Sequence, residues 1–424
     1  MHIPDGYLSP VFSLGMGLAT IPAWGIATNK VQKVLDNRTA PLLAVFAAFV
    51  FTIQMFNIPV PGGTTAHGVG GTLLAIVLGP WAAVIGVSVA LIIQALFFGD
   101  GGIIAVFANC FNMGVVLPFT GYAIYLLVAG NSSILSRRRV WAAGIGAYAG
   151  ITVAGLLVGL ELGLQPILFT DASGQPLYSP YGLEAALPAM LLTHVLGASI
   201  VEALITALGL AYLQRTHPDF LTLTSQGAQL GETAEAGSFS PLVAGLLTFG
   251  AAVLFVLGMI TGNGDVGTLF GVDWASVDWP SVASMLLVTT IIAAILIPLA
   301  WFVLPAPVKR VGTLFVALAV IAPLGLITPG FAYGEGSAED LHAEFGYVPE
   351  GFEQFSSIFS APLADYNIPL PFFNEADAEL WHQAVGYEIA GILGILLVIG
   401  VCYGIAKLLK RPDAGSDQPH EAAG

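Results

Sequence analysis

The first two residues of the chain carry three nitrogen atoms that can close on one metal ion. These are the α-amino group of Met1, the backbone nitrogen of His2 and the His2 imidazole. The amine and the amide form one chelate ring, and the amide and the imidazole Nδ1 form a second. Three coplanar nitrogen atoms leave one corner of a square open, and this donor set suits Ni(II) or Cu(II). The sequence therefore predicts a chelate that any residue ahead of Met1 would destroy. The simpler alternative is that His2 is an exposed terminal residue.

A second imidazole is available at His67, in the segment Pro59-Val-Pro-Gly-Gly-Thr-Thr-Ala-His-Gly68. Glycine and proline predict an irregular loop there. The loop lies between two apolar stretches, on the side of the membrane where we place Met1. His67 could fill the fourth corner of the His2 plane, although a single loop histidine is more often a surface residue.

Five further polar residues are candidates for orienting these ligands. A histidine that binds metal commonly needs an acceptor for its other ring nitrogen, and polar groups at the depth of a membrane helix are costly unless paired. The candidates are Asp5, Gln94, Asp100, Asn109 and His194. Hydrogen bonds between helices are the alternative interpretation. Glu202 follows His194 by eight positions, on nearly the same helical face, and we interpret this pair as an interior polar stripe.

The composition is that of a polytopic membrane protein. Of 424 residues, 56% are hydrophobic and 9% are charged, with a mean hydropathy of +0.85. The apolar runs are too many and too long for buried core helices. The predicted fold is all-α with about eleven transmembrane helices, a seven-helix core followed by a four-helix C-terminal part. The spans are 8–28, 40–57, 68–79, 80–98, 103–128, 140–161, 187–213, 242–261, 282–304, 311–330 and 384–406.

The charges predict the orientation of the chain. With Met1 outside and each span crossing once, all 12 Lys and Arg residues fall on one side, and that side is cytoplasmic by the positive-inside rule. The N-terminus is then extracellular or periplasmic, and the C-terminus is cytoplasmic. The outer loops are acidic, above all 331–383, and a negative surface attracts cations; a merely solvated loop surface is the alternative. A net charge of −15 excludes a nucleic-acid partner.

Several classes of activity have no signature in the sequence. There is no P-loop GK[ST], no HExxH and no GxSxG motif, so ATP-driven transport would need ATPase subunits on other chains. Cys110 and Cys402 both lie in apolar runs, which argues against a cysteine metal site. A stand-alone permease driven by an ion gradient would need membrane-buried carboxylates. A membrane enzyme would need an open metal position with a general base beside it.

Four stretches together resemble the cobalt/nickel substrate-specific M subunit (CbiM/NikM type) of energy-coupling factor ABC transporters. They are Met1–Pro10, Thr64-Thr-Ala-His-Gly-Val-Gly-Gly-Thr72, Leu96-Phe-Phe-Gly-Asp-Gly-Gly102 and the stretch from His194 to Glu202. This resemblance covers about residues 1–215. The remainder is similar to the small N subunit of these systems, through Asp365-Tyr-Asn-Ile-Pro369, Gly391-Ile-Leu-Gly-Ile-Leu396 and Pro349-Glu-Gly-Phe-Glu353, which resembles a degenerate Pro-Asp-Gly-Leu-Glu motif.

The resemblance implies a domain order and a site. A metal-binding domain at 1–215 is followed by a cytoplasmic linker at 216–240, an extra helix pair at 241–305, an N-like unit at 306–412 and a disordered tail at 413–424. The metal, Ni²⁺ or Co²⁺, would be bound by the Met1 amine, the His2 backbone nitrogen and imidazole, and the His67 imidazole. The chain would work in the lipid bilayer with a transmembrane coupling (T) subunit and two cytoplasmic ATPase subunits, and would not itself be an enzyme.

Overall fold

The chain folds into a bundle of helices, as a computed structural model shows. The structure describes residues 1–60, 64–225, 229–230, 278–303, 309–327, 332–374 and 379–409. In chain order the helices are α1 (Pro10–Val31), α2 (Thr39–Gln54), α3 (Gly71–Leu78), α4 (Pro80–Phe98), α5 (Val106–Ala129), α6 (Arg137–Leu168), α7 (Leu183–Thr216), α8 (Trp279–Val303), α9 (Lys309–Ile321), α10 (Ala338–Phe345), α11 (Glu350–Ser356), α12 (Pro371–Asn374) and α13 (Leu380–Leu409). Two short strands, β1 (Ile58–Val60) and β2 (Thr64–Ala66), pair antiparallel.

The prediction of an all-α polytopic membrane protein is confirmed. Seven of the described helices are long and apolar enough to cross a membrane: α1, α4, α5, α6, α7, α8 and α13. Shorter apolar helices lie at Thr39–Gln54 and Val316–Leu326. The predicted span 242–261 lies outside the described residues, as do most of the linker and the C-terminal tail, so the count of eleven stays a prediction.

The short helix α3 is a core element that folds back on α4. Its eight residues are fewer than the roughly 17 that a membrane crossing needs. Gly79 ends it with a φ of +90°, a conformation that glycine adopts readily. Beyond this residue the chain reverses, and a side chain on Gly86 of α4 would lie 2.7 Å from the Leu74 Cδ2 of α3. The two helices therefore pack closely, and seven of the eight α3 residues are buried.

The β1–β2 hairpin packs against α7. Val60 is fully buried, and a side chain on Gly197 would lie 2.2 Å from Val60 Cγ1, so only glycine admits the hairpin here. The Glu202 carboxylate of α7 accepts hydrogen bonds from the backbone N–H groups of Val69 and Gly70, at 2.7 and 2.9 Å. This carboxylate therefore fixes the loop that follows His67.

Three transmembrane helices contain a π-helical turn, at Gln94–Phe98 in α4, Cys110–Val116 in α5 and His194–Ala198 in α7. Such turns widen a helix locally and are frequent at functional sites. Each turn begins at or directly after a polar candidate residue: Gln94, Asn109 and His194. No pattern in the sequence predicts these turns.

Residues 332–374, between α9 and α13, pack against the first ten residues. The Tyr7 hydroxyl donates to the Gly336 carbonyl at 2.9 Å, and the Phe352 ring meets the Tyr7 ring edge to face at 5.1 Å. The backbone N–H of Leu363 donates to the Phe97 carbonyl at the end of α4, at 2.9 Å. The segment 332–374 thus contributes, with the N-terminal residues, to the region around Met1 and His2.

Candidate metal centre

The N-terminal segment is inserted into the protein. Met1, His2 and Ile3 are 8%, 3% and 1% exposed, so His2 is not an exposed terminal residue. The Asn109 side chain brackets the backbone of Ile3, accepting from its N–H at 2.9 Å and donating to its carbonyl at 3.1 Å. Asn109 therefore holds the main chain next to His2 and does not contact the imidazole through these bonds.

Asp5 anchors the same segment to the start of α5. Its carboxylate accepts hydrogen bonds from the backbone N–H groups of Ile103, Ile104 and Ala105, at 3.0, 2.7 and 3.3 Å. The contact is close, because a side chain on Gly102 would lie 2.1 Å from Asp5 Oδ1. The sequence proposed Asp5 as a partner for a metal ligand, and the structure places it on this turn.

The His2 imidazole has a partner at each ring nitrogen. Nε2 lies 2.9 Å from Gln54 Oε1, and Nδ1 lies 2.9 Å from Asp100 Oδ1. The second oxygen of Asp100 accepts from the Tyr366 hydroxyl at 2.6 Å, and Gln94 Nε2 lies 3.0 Å from that hydroxyl. Gln94, Asp100 and Tyr366 thus form one hydrogen-bonded network that reaches His2 through Asp100.

The Asp100 carboxylate is held in its charged form. Burial alone would raise its pKa, but the His2 ring, as a charge and as a hydrogen-bond donor, lowers the pKa below its usual value, with smaller contributions from His67 and Tyr366. An anionic carboxylate next to His2 favours a cation at this position.

His67 lies against His2 and has an open ring nitrogen. The two imidazoles stack with centroids 4.9 Å apart and planes inclined by 23°. His67 Nδ1 lies 2.9 Å from the Gly68 carbonyl, and because a carbonyl only accepts, Nδ1 carries the proton. Nε2 is buried and has no hydrogen-bond partner among the described residues. Burial, with the N-terminal amine and His2 as positive neighbours, lowers the His67 pKa well below its usual value. The ring is therefore neutral, and Nε2 has a free lone pair.

The Met1 amine completes the group of nitrogen donors. It lies 3.5 Å from Glu335 Oε1, which belongs to the segment that covers the N-terminus. Met1, His2 and His67 are thus brought together, with one carboxylate on the amine and another on the His2 ring. Closing the chelate ring at His2 requires Nδ1 to exchange Asp100 for the metal.

His194 borders the same region from α7. Its Nδ1 lies 2.6 Å from the Met190 carbonyl one turn earlier. A small cavity, called the inner cavity below, adjoins the site and is lined in part by Met1, His67, Met190, His194 and Tyr333. The structure therefore places His194 beside His67, across this cavity.

Three residues of the site were not identified from the sequence: Gln54, Glu335 and Tyr366. Gln54 ends α2 as the one amide in a helix of otherwise apolar residues and threonines, and that contrast was a usable signal. Tyr366 lies in the stretch Asp365–Pro369, quoted above only for its resemblance. Among the described residues no group of three or more His, Cys, Asp or Glu side chains could hold a metal ion.

Comparison with known proteins shows the family of the chain. Residues 2–220 match the model of the CbiM family, described as a cobalt uptake substrate-specific transmembrane region. The chain belongs to the CbiM family. Residues 309–411 match a second family model, the PDGLE domain, in the region that the sequence assigned to an N-like unit. The chain is therefore a multi-pass membrane subunit for the uptake of a transition metal, with an N-like part fused to its M-like part.

Two curated relatives have the same fused character. The chain is 37% identical to the fused nickel transport protein NikMN of Rhodobacter capsulatus, over 97% of this chain and 99% of the relative. It is 46% identical to the probable fused nickel transport protein LarMN of Lactiplantibacillus plantarum, over 62% of this chain and 76% of the relative. A crystal structure of a truncated transition metal transporter is 52% identical, with a TM-score of 0.49, and covers 51% of this chain and all of the solved chain.

Proposed function

We propose that this protein captures Ni²⁺ through four nitrogen atoms, as the substrate-binding subunit of an energy-coupling factor importer. The donors are the Met1 amine, the His2 backbone nitrogen, the His2 Nδ1 and the His67 Nε2. The observation that carries the proposal is the buried, neutral His67 ring stacked on His2, with Nε2 lacking a partner among the described residues. A free imidazole nitrogen next to a buried chain terminus has the chemistry of an unfilled ligand.

The surrounding charges favour a divalent cation. Glu335 lies next to the Met1 amine and Asp100 next to the His2 ring. When the metal replaces the protons on these nitrogen atoms, the two carboxylates remain to balance its charge. A buried cation without such partners would carry a desolvation penalty of several kcal/mol. Gln54 Oε1 supports the same state, because it can accept a hydrogen bond from the Nε2–H group while Nδ1 binds the metal.

Nickel is the preferred substrate, and cobalt is the second candidate. Four planar nitrogen donors suit Ni(II), and the two fused relatives are named for nickel transport. The family description names cobalt, and Co²⁺ accepts the same donor types. A titration with both ions separates the candidates: nickel requires the tighter binding and the yellow colour of a planar Ni(II) complex.

Transport would depend on other chains. The sequence has no P-loop, so we assign ATP hydrolysis to two partner ATPases and force transmission to a transmembrane coupling subunit. The site would face the extracytoplasmic side, because the Lys and Arg residues all fall on the opposite side of the proposed topology. We assign residues 306–412 to an N-like unit whose outer segment covers the site.

The test moves the α-amino group one residue away from His2. The purified chain with its native N-terminus is titrated with Ni²⁺, followed by d–d absorption, beside a variant with one glycine added before Met1. A variant with one glycine added after Gly424 is the matched control. We expect the N-terminal addition to weaken binding at least about 100-fold, close to 3 kcal/mol, with unchanged circular dichroism. Unchanged affinity in that variant would contradict the chelate.

A further inference from the structure

The inner cavity is lined in part by two histidines whose Nδ1 atoms are each bound to a carbonyl group. His67 Nδ1 is bound to the Gly68 carbonyl at 2.9 Å, and His194 Nδ1 is bound to the Met190 carbonyl at 2.6 Å. A carbonyl acceptor fixes the ring proton on Nδ1 and leaves Nε2 as the metal-binding nitrogen. This is the arrangement found around histidine ligands, and here it occurs twice on the border of one cavity.

The remaining lining suits a soft or borderline metal ion. Met190, which is 3% exposed, contributes a side chain with a thioether, a ligand that favours soft metal ions. Tyr333 borders the cavity, and its buried hydroxyl has no hydrogen-bond partner among the described residues. Together with His67 Nε2, two buried polar atoms on this border thus lack partners within the described part of the chain.

His194 lies inside α7, away from the start of the helix. His194 stands eleven residues after Leu183, the start of α7, which corresponds to about 16 Å along the helix axis. The segment before Leu183 contacts the N-terminal segment, since the Ser179 N–H donates to the Tyr7 carbonyl at 3.0 Å. His194 therefore lies further along α7 than the segment that contacts Tyr7.

The close packing of α6 against α7 accommodates the His194 ring. His194 opens the π-helical turn of α7 and packs on Gly155 of α6, where a side chain would lie 2.6 Å from the imidazole Cδ2. A rigid ring atom cannot give way cheaply at that distance, so glycine is required at position 155 to seat the ring.

We infer that the inner cavity is a second metal position, with His67 Nε2, His194 Nε2 and the Met190 thioether as its ligands. His67 belongs to both positions, so one ion occupies either the four-nitrogen site or the inner cavity, and His67 passes it between them. This inference rests on the proposed function, because the same ion and the same His67 serve both positions.

The test disrupts the four-nitrogen site and measures whether Ni²⁺ still binds in the inner cavity. The chain carrying one added glycine before Met1 lacks the amine chelate, and its residual Ni²⁺ binding is measured by isothermal titration calorimetry. We expect residual binding that His194→Ala or His194→Gln weakens at least about tenfold. His342→Ala, on the exposed face of α10, is the matched control and leaves it unchanged. His194→Gln keeps a polar side chain and guards against a loss that only reflects misfolding.

Failure of the inner metal position and failure of the proposed function give different experimental results. If the glycine-extended chain binds no Ni²⁺, or binds it equally with and without His194, the second position is overturned and the four-nitrogen site is untouched. If the chain with a native N-terminus binds no Ni²⁺, the proposed function itself fails. In the native chain, His194→Gln leaves the affinity of the first position within about threefold; a loss as large as that of His67→Ala would make His194 a ligand of the first site and contradict a separate inner position.

Discussion

The site has an outer half, formed by Met1 and His2, and an inner half, formed by His67 and His194. The two halves differ in whether their nitrogen atoms have hydrogen-bond or ion-pair partners. In the outer half, the Met1 amine and both nitrogen atoms of His2 already contact Glu335, Asp100 and Gln54. In the inner half, His67 Nε2 has no partner among the described residues, and His194 Nδ1 is bound to the Met190 carbonyl. The outer half must therefore exchange partners to take up a metal, whereas the inner half is ready to receive one.

This difference has consequences for selectivity. Replacing a charge-assisted hydrogen bond costs about 1.5–3 kcal/mol, so an ion must gain more than that from nitrogen donors in order to enter. Mg²⁺ and Ca²⁺ prefer oxygen ligands and gain little from imidazoles or an amine. The satisfied outer half thus excludes hard cations in favour of ions with strong nitrogen affinity.

The largest effect is expected for His67→Ala, which removes the ligand shared by both halves. We expect Ni²⁺ affinity to fall at least about 100-fold, because loss of a ligand costs more than the 10- to 100-fold typical of an outer partner. His342→Ala is the matched control, since that histidine is exposed on α10. Equal affinities of the two variants in a competitive titration would place His67 outside the site.

A smaller effect is expected for Glu202→Ala, which keeps every proposed metal ligand but removes the carboxylate that holds the loop after His67. Each buried N–H of Val69 and Gly70 would lose its acceptor, at about 1–3 kcal/mol per group. We expect a lower thermal unfolding temperature and about tenfold weaker Ni²⁺ binding, with Glu202→Gln in between because one acceptor oxygen remains. Glu184→Ala, an exposed carboxylate in the first turn of the same helix, is the control. A wild-type affinity in Glu202→Ala would mean that the His67 loop holds its position unaided.

The smallest effect is expected for Tyr366→Phe, which acts only on the outer half. The hydroxyl donates to Asp100 Oδ2, and its loss costs about 1 kcal/mol, or roughly fivefold in Ni²⁺ affinity. The residual binding of the glycine-extended chain should not change, because the inner half does not involve this hydroxyl. Tyr403→Phe, on an exposed part of α13, is the matched control. An equal loss in both halves would show that they are not separate.

The sequence was sufficient for the membrane class, for seven of the predicted spans among the described residues, and for the proximity of Met1, His2 and His67. Each of these follows from local patterns: apolar runs, a terminal histidine and a glycine-rich loop. The sequence was insufficient for the partners of those ligands. Gln54 and Glu335 meet the N-terminal residues across 52 and 334 positions of chain, and no local pattern encodes such pairings; Asp100 could be named as a candidate, but its contact with the His2 Nδ1 could not.

The reversal at Gly79 and the three π-helical turns were also beyond prediction. A π-helical turn is stabilised by tertiary packing, and its residues read as ordinary helix in the sequence. The turn at His194 is an example, because its position depends on Gly155 of α6 and on Val60 of the β1–β2 hairpin. The candidate residues at these turns could be named from their polarity, but their directions could not.

The most direct measurement is nickel K-edge X-ray absorption on the chain with its native N-terminus and one equivalent of Ni²⁺. We expect a planar first shell of four nitrogen atoms, with the scattering of two imidazole rings, and the loss of one ring in His67→Ala. A six-coordinate shell of oxygen atoms, or a spectrum that is unchanged by His67→Ala, would contradict the four-nitrogen site.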